Sequence, residues 1–428
     1  MADTNPSTLG RYIRVKHGFA FKGEYFTDDV MPDVLVTPGS FAIGGGFQDN
    51  KLKYYAGPVP DDYILEAGSL VVTMTDLSKD GDTLGYPALI PKTVGRRYLH
   101  NQRIGLIEIK DTTEADKRFL FYRLCAEDYR HHVLATASGS TVRHTSPGRI
   151  CEFETTLPPI DDQRNIASVL GALDDKIEQN RRTTRALARL ARAAFRAWFV
   201  DFEPIKAKAA GATSFPSLPH NVFAALPTRF YTSEIGPVPV GWEVKPLTQT
   251  VHLTMGQSPS SEFYNQEGEG LPFHQGVTDY GFRFPTHRVY CTAEGRIAEP
   301  GDVLLSVRAP VGRLNVADRR LVLGRGLAGV RHHNDHQSFL LYQLGHVFAE
   351  EDAIGDGTIY KAVTKQFLAN MPFLSPTEDV QQAFEDLAHP LDDLVVTSEV
   401  ETRNLLELRD YLLPRLMSGS LRVEAANG

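Results

Sequence analysis

LPPIDDQRNIASVLGALDDKIEQNRRTTRALARLARAAFRAWF, residues 157–199, carries the pattern that decides the fold. Ile166, Leu170, Leu173, Ile177, Asn180, Thr184, Leu187, Ala191, Ala194 and Trp198 recur at alternating spacings of four and three, which is a heptad seam. The same seam returns as Phe384, Ala388, Leu391, Val395, Ser398, Thr402, Leu405, Arg409, Leu412 and Leu416, each 218 residues beyond its counterpart. Both runs carry a polar pair at the same place, Asn180 with Thr184 and Ser398 with Thr402. Both follow a proline and start with acids (Asp161, Asp162; Glu378, Asp379), which suit the positive end of a helix dipole. One such run reads equally well as an ordinary core helix. Two in matching register predict a pair that packs together, each about 60 Å long at 40 residues.

Charge selects the orientation. Arg182, Arg185, Arg189, Arg192 and Arg196 form one stripe, and no acid interrupts residues 179–200. The second run is acidic early, at Glu385, Asp386, Asp392, Asp393 and Glu399. An antiparallel pair with Asn180 opposite Ser398 brings Arg192 near Asp386 and Arg185 near Asp393. A parallel pair sets the stripe beside Arg403, Arg409 and Arg415. The antiparallel arrangement is therefore expected, although exposed ion pairs select more than they stabilise; a merely solvated arginine face is the competing reading.

The repeat extends outward from the helices. Leu65–Thr73 (LEAGSLVVT) matches Ala298–Ser306 (AEPGDVLLS), each a glycine turn feeding an apolar strand. Ser138–Val142 matches Gly355–Ile359, and Thr156–Ile160 matches Phe373–Thr377. Ile104–Ile109 reads as a further strand, and Phe119–Leu124 and Phe339–Leu344 as equivalent short helices. Each half is thus a mixed, mostly β module followed by a long helix. Between the halves, six prolines from Pro204 to Pro239 mark a connector, and Phe215, Phe223 and Phe230 suggest that it docks.

The 428 residues allow about two to four domains, with 42% hydrophobic and 23% charged residues, as in ordinary soluble chains. No apolar run is long enough for a membrane span, and the first residues lack the apolar core of a secretory signal. Cys125, Cys151 and Cys291 are scattered, which argues against a disulfide framework or a zinc site and makes a cytoplasmic protein the default. The net charge of −8 is unusual for a protein that binds DNA alone, but partners can share phosphate neutralisation.

A search for catalytic constellations comes back empty. Leu157–Ile160 has the paired prolines of an amine-holding methyltransferase loop without its polar and aromatic flanks. Gly324–Gly329 fits GxGxxG, but Val330–His333 continues as strand or turn where a cofactor loop would open a helix. No P-loop and no GxSxG occur. His332, His333, Asp335 and His336 read as a solvated turn rather than a metal site. Binding remains. Gly18–Phe26 (GFAFKGEYF) and Gly256–Tyr264 (GQSPSSEFY) stand at equivalent places and mix amides, hydroxyls, aromatics and cations. The candidate DNA-contacting residues are Lys22, Ser140, Thr141, Arg143, His144, Gln257, Ser258, Arg308, Arg313, Thr358 and Lys361. Arg and Gln can read base edges, and Lys, Ser and Thr suit phosphates. For any one of them, an ordinary surface-loop role competes.

GFAFKGEYF (18–26), LPPIDDQRNIASVLGALDDKIEQNRR (157–182), AFRAWFVDFEP (194–204), SEIGPVPVGWEV (233–244), PGDVLLSVRAPVG (300–312) and LLPRLMSGSL (412–421) together resemble the specificity (S) subunits of type I restriction-modification systems over nearly the whole chain. TEDVQQ (377–382) is a degenerate version of the usual second helix start. The resemblance implies an α+β chain with a pseudo-two-fold internal repeat. Target recognition domains at 1–156 and 236–375 would be separated by long antiparallel coiled-coil helices at 157–203 and 376–418, with a connector at 204–235 and a tail at 419–428. It implies recognition of an asymmetric bipartite site on double-stranded DNA, each domain reading one half. Two modification (M) subunits and two restriction (R) subunits would be the partners, and no membrane is involved. Leu173, Ile177, Leu187, Trp198, Phe199, Leu391, Val395, Leu405 and Leu412 would form the coiled-coil and partner interface. No metal, cofactor or catalytic residue is expected in this chain; S-adenosylmethionine, ATP and Mg would act in the partner subunits. The alternatives are a coiled-coil scaffold without sequence-specific DNA contact, or a divergent DNA methyltransferase or nuclease.

Overall fold

The computed structural model describes residues 7–49, 52–353 and 363–423. The chain forms two compact units, Met1–Ile177 with Arg403–Gly428, and Glu178–Thr402. Each unit therefore holds one module and part of each long helix.

In the first unit, a four-stranded antiparallel sheet has the spatial order Ile13–His17, Ile104–Ile109, Leu70–Thr73, Pro87–Leu89. A five-stranded sheet has the order Phe26–Thr27, Lys53–Tyr55, Asp33–Val36, Arg97–His100, Ile64–Leu65. Within it Asp33–Val36 and Arg97–His100 run parallel, and Arg97 grips Asp33 through two hydrogen bonds of 2.6 Å. Asp33–Val36 and Leu70–Thr73 are buried along their whole length, which suits the apolar runs Val34–Val36 and Leu70–Val72 within them.

The second unit repeats this plan strand for strand. Its four-stranded sheet is Val251–Met255, Leu327–His332, Val303–Ser306, Leu314–Val316. Its five-stranded sheet is Tyr264–Asn265, Tyr290–Cys291, Leu271–His274, Leu321–Leu323, Ile297–Ala298, again with the third and fourth strands parallel. The matched glycine turns are real: Gly68 and Gly301 have φ of 78° and 86°, a left-handed conformation that suits glycine. The expectation of equivalent short helices needs correction. The first is Lys117–Arg123, followed after a break by Glu127–Ala135, whereas its counterpart runs unbroken as Gln337–Ala353. The break is held by Arg123, whose buried guanidinium bonds both carboxylate oxygens of Asp128 and the Thr155 hydroxyl.

The long helices are Ile160–Phe199 and Glu378–Met417, 40 residues each. No seam position is exposed; Leu170, Ala191, Phe384, Ala388 and Val395 are wholly buried. Full burial contributes about 1.5–3 kcal/mol for each of the larger side chains, Leu170, Phe384 and Val395. The pairing is antiparallel within each unit. In the second, the Asn180 amide donates to Glu401 at 2.8 Å, while the rings of Phe195 and Trp198 pack on Phe384, so ascending one helix descends the other. In the first, Asp174 meets Arg409, and Ile166 and Leu170 share an apolar cluster with Leu416.

The ion pairs expected between the arginine stripe and the acids of the second helix do not form. Asn180 meets Glu401, not Ser398, and Arg185 and Arg192 are exposed without an ion pair among the described residues. Asp386 instead accepts from Gln382, and Asp393 faces His389, each on its own helix. The arginine stripe lies outside the seam, so packing of the seam sets the orientation.

Two buried devices recur at the helix starts and flanks. Gln163 donates to the carbonyls of Glu114 and Pro158, and Gln381 donates to that of Pro376. The degenerate second start thus keeps the glutamine that ties it to the preceding strand. Tyr122 donates to Asp174 at 2.6 Å and Tyr342 to Asp392 at 2.8 Å, which fastens each module to the long helix that follows it. In the second unit Arg283 joins the pair, 2.8 Å from Asp392. The connector forms helices Glu203–Ala209 and His220–Ala225 and a hairpin of Phe230–Ser233 with Gly236–Pro239. Phe223 is fully buried and Phe215 packs on the same apolar cluster, while Phe230 is exposed. No helix among the described residues is long and apolar enough to cross a membrane.

Candidate nucleic-acid interface

One edge of each module gathers loops from distant parts of its sequence, and the same backbone contacts hold both edges. In the first module Gly18 ends the first strand of the four-stranded sheet and presses against the turn Asn101–Arg103, which links the two sheets; a Cβ there would overlap the Asn101 carbonyl. The Phe19 amide donates to His100 and the Gln102 amide to Phe19, at 2.8 and 2.9 Å. The Met74 amide then donates to Arg103 and the Thr145 amide to Met74. In the second module Gly256 presses on Gly324, and the Gly256 and Gln257 amides both donate at 2.9 Å, to Leu327 and Leu323. The Val307 amide donates to Gly326 and the Val363 amide to Val307. Each turn is thus a hub that positions three other loops.

The candidate residues distribute around these hubs. Lys22 is exposed at the start of the 3-10 turn Gly23–Tyr25, 3.7 Å from Glu24. Ser140 and Thr141 are exposed at the tip of a turn closed by paired hydrogen bonds between Ser138 and His144. Arg143 donates to the Lys79 carbonyl and His144 bonds Thr75, so both are partly engaged within the module. Strand-paired with Arg143, Asp76 orders the neighbouring loop, accepting from the Ser78 amide and from the amide and hydroxyl of Thr83. Burial alone would raise the Asp76 pKa, but these hydrogen bonds hold it below the ordinary carboxylate value.

In the second module, the Ser258 hydroxyl donates to the Gln275 side-chain oxygen at 2.7 Å and accepts from the Arg325 amide at 3.1 Å. Gln257, Arg308 and Arg313 are exposed, and Arg308 directly follows the hub residue Val307. Thr358 and Lys361, like the matched segment Gly355–Ile359, lie outside the described residues. The interface set divides by burial: Ile177, Trp198, Phe199 and Val395 are buried, and Leu173, Leu187, Leu391, Leu405 and Leu412 are half-buried.

The sequence reading missed Gln102, Arg103, Gln275 and Arg325, all exposed at the hubs. The available signal was Gly324-Arg325-Gly326, set aside as a cofactor loop. The rejection holds, since Leu327–His332 is a strand, but the glycines have a purpose: a Cβ on Gly324 or Gly326 would overlap Gln275. The histidine turn also needs correction. His332 and His336 are buried, and His336 and Asn334 both bond Glu378 at the start of the second long helix. No group of three or more potential metal ligands occurs among the described residues.

Residues 43–188 match the family model described as the type I restriction modification DNA specificity domain. The putative type I restriction enzyme MjaX specificity subunit of Methanocaldococcus jannaschii is 30% identical over 272 residues, 63% of this chain and 59% of that relative's own length. The HindI specificity subunit of Haemophilus influenzae is 22% identical over 356 residues, 71% of this chain and 77% of the relative. The crystal structure of a type I restriction-modification S subunit from M. genitalium shares the fold, with a TM-score of 0.63 at 14% identity, covering 99% of this chain and 96% of that one. The chain is thus similar, over part of its length, to type I restriction-modification specificity subunits, and it shares the fold of a solved one.

Proposed function

We propose that this chain is the DNA-specificity subunit of a type I restriction-modification complex. Its two modules read the two halves of an asymmetric bipartite sequence, and its long helices set the gap between them. The carrying observation is the repetition of one hub in two modules with different side chains at each: Gln102 and Arg103 in one, Arg325 and Gln275 in the other. A duplicated frame with divergent tips is what reading two unlike half-sites in successive grooves requires. The chain itself performs no chemistry. Two modification subunits would bind S-adenosylmethionine and flip the target adenine out of the duplex, and two restriction subunits would supply ATP-dependent cleavage. The complex would act in the cytoplasm.

The test is reconstitution. The purified chain alone should transfer no methyl group from S-adenosylmethionine to DNA, and mixing it with its modification subunits should produce transfer at one bipartite motif. Methyl transfer by the isolated chain would make it an enzyme instead. A reconstituted complex whose DNA affinity is insensitive to salt would make it a scaffold without phosphate contacts.

A further inference from the structure

We infer that the turn linking the two sheets is the base-reading element of each module, with Arg325 reading the second half-site and Gln102 and Arg103 the first. The inference rests on the functional reading above and names the residues that execute it.

Base readout needs a side chain presented from a backbone that does not move, because hydrogen bonds to base edges fix both distance and angle. These turns meet that demand better than the other exposed loops. Each lies between two strands and is braced by a glycine at the end of the sheet's first strand. In the second module the bracing is doubled, since the Ser258 hydroxyl holds the Arg325 amide from one side and the Gln275 oxygen from the other.

The side chains are also available. Arg325, Arg103 and Gln102 are exposed, and none has an ion pair or side-chain hydrogen bond among the described residues. Of the other cations at these edges, Lys22 is engaged by Glu24 and Arg143 by the Lys79 carbonyl, while Arg308 and Arg313 are exposed on the loop after Val307, beside the turn rather than in it. An unpaired guanidinium on a rigid turn presents the fork that matches the O6 and N7 acceptors of guanine, and a free glutamine amide matches the N6 and N7 of adenine.

Finally, identity changes where the frame does not. Gly18 corresponds to Gly256, His100 to Leu323, Met74 to Val307 and Thr145 to Val363, with the same hydrogen-bonding roles, yet Gln102-Arg103 stands where the second module has Arg325-Gly326. The bracing positions act through backbone atoms, so their side chains are free to differ; at the exposed tip the difference changes what is offered to a base, an amide and a guanidinium in one module and a single guanidinium in the other.

The experiment compares wild type, Arg325→Ala, Arg325→Lys and the double variant Gln102→Ala/Arg103→Ala. Each is reconstituted with its modification subunits on a randomised DNA library, and methylated sites are sequenced. Arg325→Ala should relax one position of one half-site by about 5- to 150-fold and leave the other half-site and the gap unchanged. The Gln102/Arg103 variant should do the converse. Arg325→Lys keeps the charge without the planar fork and should relax the same position as Arg325→Ala, with an unchanged melting temperature. Variants that keep the full motif but bind all sequences more weakly, with a shallower salt dependence, would make these residues phosphate contacts and overturn the inference alone. A wild-type complex that methylates no bipartite motif would overturn the underlying reading and this inference with it.

Discussion

Asp392 sits where three demands meet. It accepts from Tyr342, pairs with Arg283 and belongs to the second long helix, so it couples the module to its helix through a nearly buried charge. Removing one partner of such a pair strands the other, which typically costs about 3–5 kcal/mol. Asp392→Ala should therefore lower unfolding stability by that amount in denaturant titration, whereas Asp28→Ala, at an exposed pair with Lys53, should change it by less than about 1 kcal/mol. Thr184 shows the reverse case. Its hydroxyl is buried in the seam without a hydrogen-bond partner among the described residues, so the near-isosteric Thr184→Val should raise stability by about 1 kcal/mol; a lower melting temperature would show that the hydroxyl is satisfied. Burial pushes His100, His274 and His332 down from 6.5 to about 4, aided in His274 by His287 and in His332 by His336. Their native forms stay neutral while the unfolded chain takes up protons below about 6.5. Stability from these groups is therefore complete above that pH and falls as pH drops toward 4. Each accounts for roughly 3 kcal/mol at the acid limit. Replacing His100 by a neutral residue that can still donate to the Ile104 carbonyl, His100→Gln, should flatten part of that slope in melting curves from pH 7 to 4.

At the scale of elements, the helices were legible and the hubs were not, for one physical reason. A heptad seam is a local pattern: whether Ile166, Leu170 and Ile177 face a partner is written in their own spacing, and burial followed it at every seam position. The orientation was correct although its supporting ion pairs do not form. Consistent with that, the double variant Arg185→Ala/Arg192→Ala should leave the melting temperature within a degree or two of wild type, since exposed unpaired charges hold little energy; a large drop would restore the stripe to the helix interface. The hubs depend on non-local contacts. Gly18 matters because Asn101 returns to it from more than 80 residues away in sequence, and Gly324 matters because Gln275 lies beneath it. Nothing in the neighbourhood of either glycine announces that partner. The parallel pairing of Asp33–Val36 with Arg97–His100 was hidden for the same reason, while the all-apolar runs and glycine turns of the strands themselves were plain.

For the whole molecule, the internal repeat is the organising fact. It was visible in the constant offset of 218 residues between the seams, and it extends to buried pairs that no periodicity reveals, Tyr122–Asp174 with Tyr342–Asp392 and Gln163 with Gln381. Under the proposed function this repeat has a purpose: two readers joined by helices whose length matters. Length is then the variable to change. Four residues inserted into the first long helix beside Asn180 add about 6 Å, or roughly one to two base-pair steps along a duplex. The decisive measurement is sequencing of DNA methylated by the reconstituted complex carrying that insertion, beside wild type. The account predicts two unchanged half-sites with a longer gap between them; altered half-sites with the original gap would contradict it.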